Sequence, residues 1–196
     1  MSEKNQNNKI IFISFVGLMA ALCMVGNYLQ IKLPINGDIG TRIHFGNVFC
    51  LLAGYLFGGV GGGLAAGIGA AIFDQTDPAY ASEFYFSFCF KFLMAFVCGI
   101  IAHSGAKQGK SLPRNIIAGV CGQLTYSTLY IAKTFVVKFW IEKNDIATVW
   151  TLLIPKIATT LVNGAIAVVV AIPLVFALRK ALEAAHLDRY LTAGEK

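Results

Sequence analysis

Long apolar stretches separated by short polar loops dominate this chain, and they leave few folds open to it. Several of them approach or exceed the roughly 20 residues that a helix needs to cross about 30 Å of hydrocarbon. Of the 196 residues, 57% are hydrophobic and 13% are charged, which is half the charged share of about 25% in a soluble domain. The sequence therefore predicts an all-α integral membrane protein that crosses the bilayer several times.

Six spans are predicted, and together they form a single transmembrane domain over residues 1–196. The second and third spans are short and are joined by Gly58 and Gly59. They are either short helices or a partly re-entrant hairpin. Pro155 and Pro173 are candidate kink points in the last span, and the segment 179–196 is predicted to continue that helix as a cytoplasmic tail. The spans cover residues of about 10–31, 43–57, 60–73, 85–102, 115–139 and 148–178.

The basic residues in the loops and tails and at the ends of the spans set the orientation, because nine lie on one side and only four on the other. Basic loops remain in the cytoplasm, so both termini are predicted to be cytoplasmic. The net charge of +6 reflects this asymmetry, and no nucleic-acid partner is expected. The side with more basic residues has Lys4, Lys9, Lys107, Lys110, Arg114, Arg179, Lys180, Arg189 and Lys196, and the other has Lys32, Arg42, Lys138 and Lys143.

Three lysines, Lys91, Lys133 and Lys156, sit inside apolar stretches that contain no Asp or Glu. A charge within a membrane span costs roughly 3 kcal/mol or more, so such a residue indicates a functional site. Counted along the helices, each lysine lies on the order of 10 Å below the outer surface. Each stem is also long enough to snorkel to the interface. Their shared depth favours a single polar cavity, open to the outside, which all three lysines face.

Other polar groups at the outer ends of the spans complete the predicted pocket. His44 alone is more typical of a helix start, and Asp74 is also placed to cap its helix or to pair with Lys91. The pocket is expected to have aromatic walls and a few convergent polar groups, as ligand sites usually do. Its basic lining suits a ligand with carboxylate, phosphate or heterocyclic acceptors. The predicted substrate-binding residues are Arg42, His44, Asn47, Asp74, Tyr80, Glu83, Lys91, Lys133 and Lys156.

Small residues recur at intervals of four along the first three spans, as in Gly54 and Gly58 of the second and Gly17 and Ala21 of the first. This spacing lets helix backbones approach closely and drives helix association in lipid. Packing within the bundle explains part of the pattern. Docking of a partner on the first three helices is a second use for it.

Motifs of soluble enzymes are absent from the sequence. It contains no GxxxxGK[ST] phosphate loop, no HExxH and no GxSxG, so ATP hydrolysis is not expected of this chain. All five cysteines fall within predicted spans without CxxC spacing, which predicts neither a disulfide framework nor a zinc site. No catalytic residue, metal or cofactor is predicted. A transport subunit and a small integral membrane enzyme, which would use the lysines on a lipid or quinone, remain as functional classes.

Four segments carry a resemblance to a known family, and it extends over most of the chain, from Phe12 to Leu182. They resemble the substrate-binding S components of energy-coupling factor (ECF) transporters. Among these, the sequence is most similar to the group for riboflavin, pyridoxine or hydroxymethylpyrimidine. The segments are GTRIHFGNVFCLLAGYLFGGVGGGLAAGIGAAIFD (40–74), DPAY (77–80), FKFLMAFVCGIIAH (90–103) and LVNGAIAVVVAIPLVFALRKAL (161–182).

The resemblance implies a subunit in the plasma membrane of a prokaryote, surrounded by lipid, that binds a small water-soluble vitamin near its outer face. It also implies two kinds of partner, a transmembrane scaffold subunit and two cytoplasmic ATPases, and toppling of the subunit to release its cargo. Docking is expected through small residues on the first helix, here Gly17, Ala20 and Ala21, although the family's AxxxA pattern is Gly17-x-x-x-Ala21 in this chain. An anionic vitamin such as pantothenate, which the lysines favour, is the alternative substrate.

Overall fold

The computed structural model describes residues 3–35, 38–78 and 80–191. Within them, five long helices and a two-stranded sheet account for most of the chain. Shorter helical turns precede α3, follow α3 and α4, and follow α5. The main elements are α1 (Glu3–Tyr28), β1 (Gln30–Ile35), β2 (Asp38–His44), α2 (Gly46–Thr76), α3 (Phe84–His103), α4 (Leu112–Val136) and α5 (Ile146–Ala184).

Four of the described helical segments are long and apolar enough to cross a membrane. They lie in α1, α2, α3 with the turn before it, and α5, and they support the prediction of an all-α membrane protein. α2 is the most enclosed of the four, because the other helices surround it. The four segments are Gln6–Tyr28, Gly46–Thr76, Ala81–His103 and Ile146–Ala184.

α2 reverses its direction at Gly58. This residue has a φ of 75°, in the left-handed region that glycine adopts without a steric penalty. Beyond it the backbone folds back, so that a Cβ added to Gly62 would lie 2.6 Å from the Cα of Gly54. Eight residues of a straight helix would separate these positions by roughly 12 Å. We name the two arms α2a (46–57) and α2b (59–76); their junction coincides with the one predicted between the second and third spans.

Contacts with α1 show how far the two arms of α2 extend along the bundle. Near the start of α1, the ring of Phe12 packs edge-on against Phe57 at the end of α2a, with 6.0 Å between centroids. At the other end of α1, Tyr28 packs edge-on against Phe73 near the end of α2b, at 4.8 Å. α2b therefore runs back along α1 to its far end, as a full helix rather than a shallow re-entrant turn.

The antiparallel sheet of β1 and β2 was not predicted, and it corrects two span boundaries. Gln30 pairs with His44 and Lys32 with Arg42, so the first span does not extend to residue 31 and the second does not begin at 43. Polar and apolar residues alternate along both strands, the pattern of a half-buried strand. The Asn-Gly pair at 36–37, whose structure lies outside the described residues, is a strong hairpin signal in the sequence.

The last two helices also differ from the prediction at their ends. α4 ends at Val136 and continues as a π-helical turn, Val137–Ile141, so the predicted fifth span finishes within this turn. α5 runs through Pro155 and Pro173 as one helix and continues to residue 184, as predicted for the start of the tail. Residues 192–196 of the predicted tail lie outside the described part of the chain.

Candidate functional site

A cavity of about 220 Å³ opens at the end of the bundle that carries the β-hairpin. Its walls come from β2, from the turn before α3, and from the adjoining ends of α3, α4 and α5. Aromatic side chains alternate around it with charged and amide groups. It is lined by Thr41, Arg42, His44, Tyr80, Glu83, Phe86, Ser87, Phe90, Tyr126, Tyr130, Lys133, Thr134, Val137, Lys138, Glu142, Lys156, Thr160 and Asn163.

Helical periodicity explains how three helices bring these side chains to one place. Residues four or seven apart lie on one face of a helix. α4 presents Tyr126, Tyr130 and Lys133 in this way, and α5 presents Lys156 together with Thr160. α3 adds two phenylalanines four residues apart. α3 and α4 thus turn a mixed aromatic and polar face to the cavity, and α5 turns a polar face to it.

The structure divides the nine predicted substrate-binding residues into two groups. Six line the cavity: Arg42, His44, Tyr80, Glu83, Lys133 and Lys156. Asn47, Asp74 and Lys91 are instead buried behind its wall.

The prediction that all three membrane lysines face one cavity is therefore wrong for Lys91, which is only 3% exposed. Its ammonium group donates a hydrogen bond to Oδ1 of Asn47 and lies 4.0 Å from the ring centroid of Tyr126. The amide of Asn47 in turn donates to Oε1 of Gln123 at 3.1 Å. Because Tyr126 also lines the cavity, Lys91 supports the wall from behind.

Asp74 pairs with Arg42 rather than with Lys91, its predicted alternative partner. The guanidinium group of Arg42 donates to Oδ1 of Asp74 at 3.2 Å, and the carboxylate is 1% exposed. The same guanidinium stacks over Tyr80, 4.1 Å from the ring centroid, and over Phe73 at 4.9 Å. Arg42 therefore links β2 to the end of α2b and forms part of the cavity wall with Tyr80.

Two further ion pairs bring acids into the cavity. Lys133 pairs with Glu83, which lies just before α3 and outside the apolar stretches. Lys138 pairs with Glu142 at 2.7 Å. The ammonium group of Lys156 lies 5.8 Å from the ring centroid of Tyr130. Much of the positive charge that the sequence places at this level is thus matched by carboxylates.

Asn163, which was not predicted, holds the hairpin on α5. Its Oδ1 accepts a hydrogen bond from the backbone N–H of His44 at 3.1 Å. Its Nδ2 donates to the backbone carbonyl of Arg42 at 2.8 Å. Both bonds are made to β2, so Asn163 fixes the strand that carries the cavity residues Thr41, Arg42 and His44.

The remaining lining residues that were not predicted include four aromatic side chains, Phe86, Phe90, Tyr126 and Tyr130. Tyr126 and Tyr130 precede Lys133 by seven and three residues, and Thr160 follows Lys156 by four. The spacing from the predicted lysines was a usable signal, because residues three, four or seven apart share a helix face. Phe86 and Phe90 had no such marker, since phenylalanines occur throughout that span.

His44 lies at the end of β2, before the membrane-spanning α2, and is buried against the cavity. Its Nδ1 has no hydrogen-bond partner among the described residues. Burial, together with the positive charges of Lys91 and Arg42, lowers the pKa of His44 well below its ordinary value of 6.5. At neutral pH the ring is therefore uncharged, with a nitrogen available for a hydrogen bond to a ligand.

A pH dependence of stability follows from the lowered pKa of His44. Below about pH 6.5 the unfolded chain binds a proton at this residue and the folded protein does not, so acidification favours unfolding. The slope contributed by one proton is at most about 1.4 kcal/mol per pH unit. We expect the thermal stability of a His44→Gln variant in detergent to fall less steeply between pH 6.5 and pH 5. If the thermal stability of the variant and of the wild type falls equally steeply with decreasing pH, the lowered pKa of His44 is contradicted.

The predicted docking residues separate on α1. Gly17 and Ala21 are exposed on the outer face of the helix, and a Cβ added to Gly17 would meet nothing within 4 Å. Ala20 is buried, with its backbone carbonyl pressed against Gly69 of α2b. The surface of Ala20 is thus used in packing within the bundle, and Gly17 and Ala21 are the exposed members of the predicted docking set.

Comparison of the sequence with known protein families identifies the family to which this chain belongs. The sequence matches the model of the family described as "ECF-type riboflavin transporter, S component" over residues 7–180. The chain belongs to this family. No curated protein and no solved structure matches it. As an S component, the protein is a multi-pass membrane subunit of a transporter and not an enzyme, so the alternative of a small membrane enzyme is excluded.

Proposed function

We propose that this S component captures riboflavin at its outer face, or a vitamin of the pyridoxine or hydroxymethylpyrimidine class, in the cavity described above. Import would then require a transmembrane scaffold subunit and two cytoplasmic ATPase subunits. Membership of the riboflavin S component family supports the substrate class. No catalytic residue or cofactor is needed in this subunit for that role.

The observation that carries the proposal is the pair of aromatic walls. Tyr126 and Tyr130 on α4 are stacked, with ring centroids 6.0 Å apart and planes 10° apart. Phe86 and Phe90 on α3 form a second pair at 5.7 Å. All four side chains line the cavity. Flat aromatic faces of this kind bind planar rings by offset stacking, which suits a heteroaromatic vitamin.

The charge balance of the cavity favours a neutral ligand over an anionic one such as pantothenate. Arg42 is paired with Asp74, and Lys133 is paired with Glu83. An anion would compete with these carboxylates and would leave them without their cations, which is costly in a partly desolvated site. A neutral heterocycle instead accepts hydrogen bonds from the lysines and from Ser87 and Thr160 without displacing an acid.

We further propose that the whole chain is one transmembrane domain with six passes and both termini in the cytoplasm, in the plasma membrane of a prokaryote. The reversal at Gly58 makes α2 two passes, and α4 is counted as a pass although it is not among the four most apolar segments. The excess of basic residues at the end of the bundle where α1 begins supports the orientation. The cavity then opens to the outside.

Binding to the purified protein tests the substrate. We expect riboflavin to bind saturably at one site per chain, and the stacked aromatic walls to quench its fluorescence. Unlabelled pyridoxine and hydroxymethylpyrimidine are then added as competitors for the same site. Tyr130→Leu should weaken riboflavin binding about tenfold through lost stacking. Trp150→Leu is the matched control, because Trp150 is an exposed aromatic residue of α5 outside the cavity. Saturable pantothenate binding without riboflavin binding would replace this proposal with the anionic alternative.

A further inference from the structure

A second and larger concavity lies on the lipid-facing side of the bundle. It is a groove of about 800 Å³ between α1 and α3, with α2b as its floor. The ridge along the floor consists of Val60, Leu64 and Ile68, which are 59%, 39% and 40% exposed. They recur every four residues and therefore follow one face of the helix for roughly 12 Å.

The walls of the groove are aromatic and aliphatic side chains that stand over glycines. Phe12 of α1 covers Gly61, since a Cβ added there would lie 2.7 Å from the Phe12 ring. Phe96 and Ile100 of α3 cover Gly59 in the same way. The two helices are thereby held apart on either side of the α2b ridge, and the channel between them remains open along its length.

One charged group lines this apolar groove. Lys9 lies one turn before Phe12 on α1, and therefore at the end of the groove nearest the chain's start. Its side chain is exposed. Neither Asp nor Glu is among the described residues that line the groove. The groove thus combines a long apolar channel with a single positive charge at one end.

We propose that this groove binds an anionic phospholipid, with an acyl chain along the α2b ridge and the phosphate on Lys9. A membrane surface rich in anionic lipid attracts juxtamembrane lysines, and the apolar channel matches a hydrocarbon chain. Lipid binding in the groove is independent of which vitamin the cavity takes, because the groove is a different surface at the opposite end of the bundle from the cavity.

A partner helix fits the groove less well than an acyl chain does. Close approach of two helices in a membrane needs small residues at the contact, whereas the exposed ridge of α2b carries Val60, Leu64 and Ile68. The small exposed residues of α1, Gly17 and Ala21, are outside the groove. The exposed face of α1 therefore has small residues that suit a docking helix, whereas the groove has large side chains and suits a flexible acyl chain.

Native mass spectrometry of the purified protein with dioleoyl phosphatidylglycerol or dioleoyl phosphatidylcholine tests the proposal. We expect phosphatidylglycerol to be the more strongly retained. Lys9→Gln should weaken phosphatidylglycerol binding about fivefold and leave phosphatidylcholine binding unchanged. Lys107→Gln, which removes another exposed lysine outside the groove, should change neither. Equal preference for the two lipids in the wild type and in Lys9→Gln would overturn the role of Lys9.

Filling the channel tests the acyl-chain site separately. Leu64→Trp should reduce the retention of both lipids, whereas Ile72→Trp, two turns further along the same exposed ridge and outside the groove, should not. Thermal stability in detergent is measured for each variant to establish that it folds. Lipid retention by Leu64→Trp at the level of Ile72→Trp would overturn the proposal. So would loss of assembly with the scaffold subunit while lipid retention is preserved, because a partner helix would then occupy the groove.

Discussion

An Arg42→Ala variant is expected to lose about 3–5 kcal/mol of stability, the usual cost when one partner of a buried ion pair is removed. The carboxylate of Asp74 is 1% exposed, and its Oδ2 has no hydrogen-bond partner among the described residues. Without Arg42 a buried negative charge would lack its cation. The stacking of the guanidinium on Tyr80 and Phe73 would also be lost, so ligand affinity should fall together with the midpoint of thermal unfolding.

A second ion pair at the same end of the bundle provides the matched control. Lys32 pairs with Asp77 at 2.9 Å, and the lysine side chain is 40% exposed. Lys32→Ala should cost less than about 1 kcal/mol, as is typical of exposed pairs. An Arg42→Met variant should be destabilised for the same reason. Adding Asp74→Asn to Arg42→Met should recover much of its lost stability, because the second substitution removes the unpaired charge. If Arg42→Ala is no less stable than Lys32→Ala, Asp74 does not depend on Arg42.

Replacing both Gly17 and Ala21 with leucine is expected to abolish vitamin uptake in cells while ligand affinity of the isolated protein stays unchanged. Both residues are exposed, and a side chain at Gly17 meets no neighbour within 4 Å. Leucine is therefore accommodated by the bundle itself, but it would keep the backbone of a docking helix at a distance. Complex formation with the scaffold subunit, affinity and thermal stability should be measured on the same protein.

Two single variants make this result specific. Ala20→Leu places a large side chain where the helix is packed against Gly69 of α2b, so it should lower stability and ligand binding together. Ala165→Leu enlarges an exposed small residue on α5 and should preserve both assembly and uptake. A normal complex and normal uptake in the double variant would remove this face of α1 from the docking surface. Reduced ligand affinity would indicate a role in packing within the bundle.

Much of the helical architecture was predictable because hydrophobic length and glycine placement are local properties. The apolar run from residue 85 to 102 lies within α3, which is Phe84–His103, and the glycine pair at 58–59 marked the reversal in α2. The hairpin was missed for a different reason. Only residues 30–31 and 43–44 of the two strands fall within predicted spans, and the residues between them were predicted as an external loop, because the alternating pattern is short and lies next to long apolar runs.

The direction of a side chain around a helix was harder to predict than its depth. Each residue turns by about 100° from the one before it, so a shared depth does not give a shared face. Phe90 lines the cavity, whereas the next residue, Lys91, points to Asn47 and Tyr126. The partner of Lys133 is Glu83, about 50 positions earlier in the chain, and only the packing of α3 on α4 brings these two together.

The reversal at Gly58 also bears on how the protein is made. α2a rises roughly 18 Å, well short of the hydrocarbon thickness of about 30 Å, and it emerges from the ribosome before α2b. Gly54 of α2a packs against Gly62 of α2b and against Ala95 and Cys98 of α3, so it is covered only after these later segments have folded against it. The two arms are thus suited to enter the bilayer together as a preformed helical pair, after α1 has provided a surface along their full length.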